Sequence, residues 1–200
     1  MRILKVFILV ILSLSSYAQA EFSGGLIAGG VTSQVSGDAL AGWDKFGVTG
    51  GAWVHVGFNE SWGTWVGLQY LPKGSVKPAD PDNGDFNQFA FKLNYIEMPV
   101  MATNLRGKWR FGIGPSFGFL ISQKQEFNGL EYDINPEFKA LDISGSLSVT
   151  RLIGNKFSLE LRGNTSILPT RPAPAVVNPL SYYERGNYNQ VLLLALHYRF

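Results

Sequence analysis

His55 and His197 are the two histidines of this 200-residue chain and the natural places to look for acid–base chemistry, since an imidazole titrates near neutrality. A nucleophile, a base and an orienting acid must lie within hydrogen-bond reach of one another. The serines, aspartates and glutamates are scattered, and no local spacing assembles such a set. The chain has no cysteine, which removes a thiolate nucleophile, a thiolate metal site, a disulfide scaffold and a lipid-modified cysteine anchor. Gly112-Ile113-Gly114 begins like a phosphate loop, but Pro115 and a continuing extended pattern follow, with no helix start. Asp80-Pro81-Asp82-Asn83-Gly84-Asp85 is dense in acids, yet lacks the distal acid of an EF-hand loop and reads as an exposed turn. No metal-ligand spacing appears. The expectation is therefore a chain that is not an enzyme, has no metal and no cofactor, and holds both histidines satisfied on an inner face.

Charge excludes another class. Lys+Arg number 17 and Asp+Glu 15, but Arg2 and Lys5 belong to a leading segment without acids, so the remainder is balanced. A nucleic-acid partner loses its electrostatic basis. The leading segment has a positive start, an apolar core over 6–14, and small residues ending Ala18-Gln19-Ala20. Residues 1–20 are expected to be a secretory signal peptide, with the mature domain over 21–200. The apolar core is shorter than the ~20 residues a spanning helix needs, and no later stretch is longer. With aromatics at 14%, 23 glycines and only 16% charged residues, the rest is too apolar for disorder and too rich in glycine for a helical bundle.

What must position any functional side chain is a set of extended segments. Eight runs of strand length occupy 22–32, 46–58, 62–71, 88–102, 108–122, 139–151, 157–168 and 188–200. Long connections at 33–45, 72–87, 123–138 and 169–187 alternate with short ones, as in an up-and-down meander with both termini on one side. Within the runs the pattern has a period of two. In the fifth, Trp109, Phe111, Ile113, Phe117, Phe119 and Ile121 oppose Arg110, Gly112, Gly114, Ser116 and Gly118. The second, sixth and seventh runs repeat it. Successive side chains point to opposite faces, so one face is bulky and apolar and the other small or polar. An eight-stranded lumen is only just wide enough for side chains. Rows of Trp, Phe and Leu would overfill it, whereas small and polar residues fit and the bulky face suits lipid. The expected fold is all-β: an eight-stranded antiparallel up-and-down transmembrane β-barrel.

That orientation sends Arg110, Asp142, Glu160 and Arg162 into the lumen, with Glu97 among them. Isolated charges there would be very costly, so they are expected to pair in a polar network. The mixed signs favour a plug over a single-sign selectivity ring. The fourth run breaks the pattern: Phe89, Phe91 and Leu93 share one parity, Ile96, Met98 and Val100 the other. Either a bulge near Asn94-Tyr95 switches faces, or the first trio stands above the lipid and packs the loops. Trp62, Trp109, Phe157, Tyr198 and Phe200 would form one interfacial belt, with Tyr70, Phe89 and Tyr188 near the other. The glycines at 24, 25, 29 and 30 allow curvature and close interior packing.

The last run ends with Leu192, Leu194, Leu196, Tyr198 and Phe200 on one face. Leu196, Tyr198 and Phe200 resemble the C-terminal signal by which outer-membrane barrels of Gram-negative bacteria are recognised by the barrel assembly machinery. Gly67-Leu68-Gln69-Tyr70 with Pro72-Lys73-Gly74, then Leu93-Asn94-Tyr95-Ile96-Glu97-Met98-Pro99, then Phe111-Gly112-Ile113-Gly114-Pro115 resemble the PorT-type porin family of small barrels common in Bacteroidetes, similar in architecture to OmpX and OmpA. Gly67 stands where the family often has an acid. The resemblance implies an integral barrel of the Gram-negative cell outer membrane and says little about activity. Expected partners are outer-membrane lipid and the assembly machinery, with an extracellular protein or a small solute at the outer loops. The barrel is expected to be a monomer. A non-catalytic structural or interaction role stands first, with a small-solute channel or an accessory barrel of a protein secretion system as alternatives.

Overall fold

The computed structural model describes residues 21–38, 40, 42–172 and 186–200. The two-residue periodicity becomes strands β1 (Glu21–Ser36), β2 (Lys45–Gly57), β3 (Trp62–Lys77), β4 (Phe89–Arg106), β5 (Trp109–Phe127), β6 (Leu130–Tyr132), β7 (Leu141–Ile153), β8 (Phe157–Ser166), β9 (Arg171–Pro172) and β10 (Gly186–Arg199). Among the described residues an antiparallel ring of eight is formed by all of these except β6 and β9, which extend the outer ends of β5 and β10. The ring closes where β1 meets β10, from Gly25 opposite Arg199 to Ser36 opposite Tyr188. A closed ring has no unpaired edge, which is what a strand-built span in hydrocarbon requires.

The partition of side chains is inverted relative to a water-soluble protein. Phe46 and Val48 are 73% and 74% exposed, while Lys73 and Glu97 are 0% exposed. The interior is not uniformly polar. On one side Ile27, Val31, Trp53, Trp65, Leu71, Met101 and Leu193 form an apolar cluster. On the other, β5, β7 and β8 turn Ser116, Ser144, Ser146, Asn164 and Ser166 inward. Inner glycines allow strands to approach. A Cβ on Gly114 would lie 2.0 Å from the Val100 carbonyl oxygen. The run at 24–30 divides: Gly25 and Gly29 face crowded neighbours, while Gly30 has open space where a side chain would be.

The strands outrun the expected ones at the long-loop end. β1 continues to Ser36, β3 to Lys77 and β5 to Phe127, so part of what read as loop is ladder. The break in the fourth run resolves between the two readings. β4 keeps one parity throughout, with Phe91, Leu93, Tyr95 and Glu97 all buried. The irregularity lies in its pairing with β5: Asn94 opposes Ser122 but Tyr95 opposes Leu120, leaving Ile121 as the extra residue. Phe91 and Leu93 pack with Val35, Tyr95, Ile134 and Phe138 into an apolar cap beneath the outer loops, with Phe89 and Leu120 partly buried against it. Tyr188 is buried as well, so it is not part of an outer belt.

β3 supplies the device that positions the site. Its ladder with β2 ends at Gly50 opposite Tyr70. Beyond that point Leu71, Pro72, Lys73, Gly74 and Ser75 are buried on both faces. Pro72 has no amide hydrogen to give a ladder, and the Ser33 hydroxyl on β1 donates to the Gly74 carbonyl at 3.1 Å. This half of β3 therefore packs against β1 as well as against β4, and carries Lys73 into the lumen.

Candidate functional site

Lys73 is the centre of the outer half of the lumen. Its Nζ lies 2.8 Å from Glu97 Oε2 on β4 and 2.9 Å from Asp142 Oδ2 on β7. It also sits 4.7 Å from the centre of the Tyr95 ring. The two carboxylates are supplied with further donors. Asn164 Nδ2 on β8 donates to Glu97 Oε1 at 2.8 Å, and the Ser116 hydroxyl donates to the same oxygen. Asp142 Oδ1 accepts from Ser166 at 2.7 Å and Ser144 at 3.1 Å, and its Oδ2 accepts from Asn189 Nδ2 at 3.0 Å. Strands β3, β4, β5, β7, β8 and β10 are thereby tied through one buried cluster. Desolvating such ions is offset only when the geometry is good and every remaining lone pair is met.

A second cluster lies toward the short-turn end. Arg162 holds Glu160 with two bonds, Nε to Oε1 at 3.1 Å and NH2 to Oε2 at 2.6 Å. His197 Nε2 is 3.0 Å from the same Oε2, and the His197 ring lies between Trp53 and Trp65, 5.7 and 5.8 Å away. The Arg162 guanidinium also covers the Trp65 ring at 4.6 Å and donates to Gln69 Oε1 at 3.3 Å. Planar stacking plus a forked carboxylate contact is a role suited to arginine rather than lysine. His55 faces Thr103 Oγ1 at 3.0 Å, apart from any carboxylate contact.

Of the charges expected to meet in the lumen, Glu97 and Asp142 share Lys73, and Glu160 pairs with Arg162. Arg110 does not join them. It stands near the short-turn mouth, and among the described residues its side chain makes no hydrogen bond or ion pair. Lys73 and His197 complete the clusters. The sequence carried a signal for Lys73, because the inward parity of Gln69 and Leu71 extends to it once the strand is allowed past Pro72.

Above the first cluster, described parts of the outer loops are tied to one another and to the ring. Arg171 on β9 donates to the carbonyls of Pro136 at 2.7 Å and Asn135 at 3.0 Å, and its guanidinium lies over Phe91 and Phe138. Asp38 in the first outer loop accepts from the Ser75 hydroxyl and, at 2.9 Å, from the Leu40 amide. Burial nevertheless pushes its carboxyl above the ordinary aspartate value. Leu196 and Phe200 face outward, and the Tyr198 ring lies tilted 5.4 Å from Phe157 and edge-to-face 6.0 Å from Phe200.

A closed eight-stranded ring with an apolar exterior and a packed, charged interior defines a small transmembrane β-barrel. The chain belongs to the outer membrane protein β-barrel domain family, whose model matches residues 13–170. Among solved structures it is similar to Ail, the attachment invasion locus protein of Yersinia pestis, at TM-score 0.56 and 12% identity, covering 90% of this chain and 99% of that one. Ail in complex with the heparin analogue sucrose octasulfate matches at TM-score 0.51 and 14% identity, with coverage of 90% and 99%. Neisserial surface protein A matches at TM-score 0.53 and 11% identity, covering 92% of this chain and 100% of that one. No curated protein sequence matches. At these identities the solved structures establish the fold, and the protein is a small outer-membrane β-barrel.

Proposed function

We propose that this barrel is a non-conducting, non-catalytic membrane scaffold whose lumen is a structural plug and whose outer loops carry the interaction role. The observation that carries this reading is the buried Lys73–Glu97–Asp142 cluster, roofed by the inward half of β3 and the apolar cap. A conducting path would need water where these side chains meet one another. Planar-bilayer recordings of the reconstituted protein are expected to show no steps above baseline. Sustained, reproducible single-channel steps would establish the small-solute channel instead. An accessory place in a secretion system predicts co-purification with large partners.

The motifs at 67–74, 93–99 and 111–115 support a finer placing among PorT-type barrels of a Gram-negative outer membrane. Export would proceed through the leader, which lies outside the described residues, and insertion through Leu196, Tyr198 and Phe200 at the terminus. Mass spectrometry of the protein recovered from membranes is expected to find Glu21 as the first residue; an intact chain starting at Met1 would refute cleavage. The barrel is read as a monomer, because ring closure uses every strand edge.

The loops would meet an extracellular protein rather than a polyanion. Asp80, Asp82, Asp85, Glu131, Asp133 and Glu137 outweigh Lys77, Lys124, Lys139 and Arg171 there, so a sulfated sugar of the kind bound by Ail meets an unfavourable field. Tyr182, Tyr183, Glu184 and Arg185, read as a contact surface stiffened by Pro169, Pro172, Pro174 and Pro179, lie outside the described residues apart from Pro169 and Pro172.

A further inference from the structure

The ends of the barrel differ sharply in charge. Around the short turns and termini stand Arg106, Lys108, Arg110, Arg151, Lys156 and Arg199, against Glu21 and Glu60. Short turns are the periplasmic end of such barrels, so these cations lie level with the headgroups of the inner leaflet. Exposed Trp62, Trp109, Phe157 and Phe200 mark the same level. Two of the cations rest on rings, Arg151 over Trp109 at 4.7 Å and Lys156 over Tyr198 at 5.9 Å.

A cavity of about 240 Å³ opens here, beneath Trp53, with Ser23, Arg110, Asn155, Lys156, Ser158 and Arg199 on its walls. Its carboxylate neighbours are already engaged: Glu160 is held by Arg162 and His197, and Glu21 by Arg199 at 3.0 Å. The Arg110 guanidinium makes no hydrogen bond or ion pair among the described residues; Arg199 is near enough to repel it, and Glu160 and Glu21 attract it only at longer range. The Arg110 guanidinium, the Lys156 ammonium and the hydroxyls of Ser23 and Ser158 line one space beside Arg199, which gives one N–H to Glu21 and keeps others to offer. That is the chemistry that recognises a phosphate group.

We propose that this periplasmic cavity is a phosphate-binding site, filled by the headgroup phosphate of an inner-leaflet phospholipid or by a free phosphate. The site stands whether or not the lumen conducts. A bound phosphate would neutralise the excess charge at the mouth and, as a lipid headgroup, would set the depth of the barrel beside its aromatic belt.

The test uses the protein purified from membranes in a neutral detergent, titrated with a short-chain phosphatidylglycerol and followed by native mass spectrometry. Arg110→Gln is expected to weaken lipid binding about tenfold, the scale of one lost charge-assisted contact. Arg151→Gln, outside the cavity, is expected to stay within about twofold of the parent protein. Competition by inorganic phosphate alone supports the site and assigns it to the free anion as well. Lipid binding without such competition supports the site and assigns it to the headgroup. Equal binding by the parent and Arg110→Gln, or no binding by the parent, overturns the proposal. If Arg110→Gln lacks the compact, heat-modifiable band of a folded barrel, Arg110→Lys replaces it. That variant keeps the charge but loses the fork, so a loss of about threefold is expected and unchanged affinity refutes the role of Arg110.

Discussion

Lys73→Ala is expected to cost about 3–5 kcal/mol of stability, because it strands two buried carboxylates that had shared one cation. Glu97 and Asp142 lie on different strands, β4 and β7; Glu97 takes its donors on Oε1 and leaves Oε2 to Lys73 alone, while Asp142 accepts from Ser166, Ser144 and Asn189. Removing the ammonium leaves like charges facing one another where water cannot screen them. The measurement is urea unfolding of the reconstituted barrel, followed by tryptophan emission. A second variant separates charge from packing. Lys73→Met combined with Glu97→Gln and Asp142→Asn keeps the volume and removes every ion, and should recover most of the loss, since neutral replacement of a buried ion cluster is often tolerated. A loss below about 1 kcal/mol for Lys73→Ala, the range of an exposed pair, would mean that the cluster is hydrated and the plug reading fails.

Gly74→Ala is expected to rank next, at roughly 2–3 kcal/mol or more, because two costs coincide. The residue has φ of +127°, a conformation that favours glycine, and a Cβ there would lie 2.0 Å from the Phe91 carbonyl oxygen. Backbone cannot yield as a flexible side chain would, so β3 would have to move away from β4 and take Lys73 with it. Gly163→Ala is the control. That glycine is on the outer face of β8 with nothing within 4 Å, and its substitution should leave the unfolding midpoint unchanged. Equal midpoints for Gly74→Ala and the parent protein would show that the inward course of β3 does not depend on this position.

The ring itself was legible because lipid imposes a repetitive requirement on a strand. Trp109, Phe111 and Ile113 could be assigned to the outside, and Arg110, Gly112 and Gly114 to the inside, from their order alone. The same parity placed Asp142, Glu160 and Arg162 on the inner face. It failed to reveal the course of β3, because Pro72 and Gly74 look like the start of a loop and their ladder with β4 is a long-range pairing. The parity break in the fourth run was visible with two readings open: Phe91 and Leu93 face inward into the cap beneath the outer loops, and β4 itself does not switch faces. What order alone left undecided was the strand carrying the irregularity: the extra residue is Ile121 on β5, and a bulge between two strands is a property of their register.

Amino-acid order alone determined the all-β class and which side of each strand faces out, since the turn of successive side chains is a local matter of backbone geometry. Only the folded ring decided the partners. Lys73 meets Asp142 across sixty-nine positions of chain and Glu97 across the β3–β4 ladder, while Arg110, on the same inner face, is left at the mouth. Which inward charges touch depends on the stagger between strands and on β3 entering the lumen, and both are set by hydrogen-bond register and packing between distant segments.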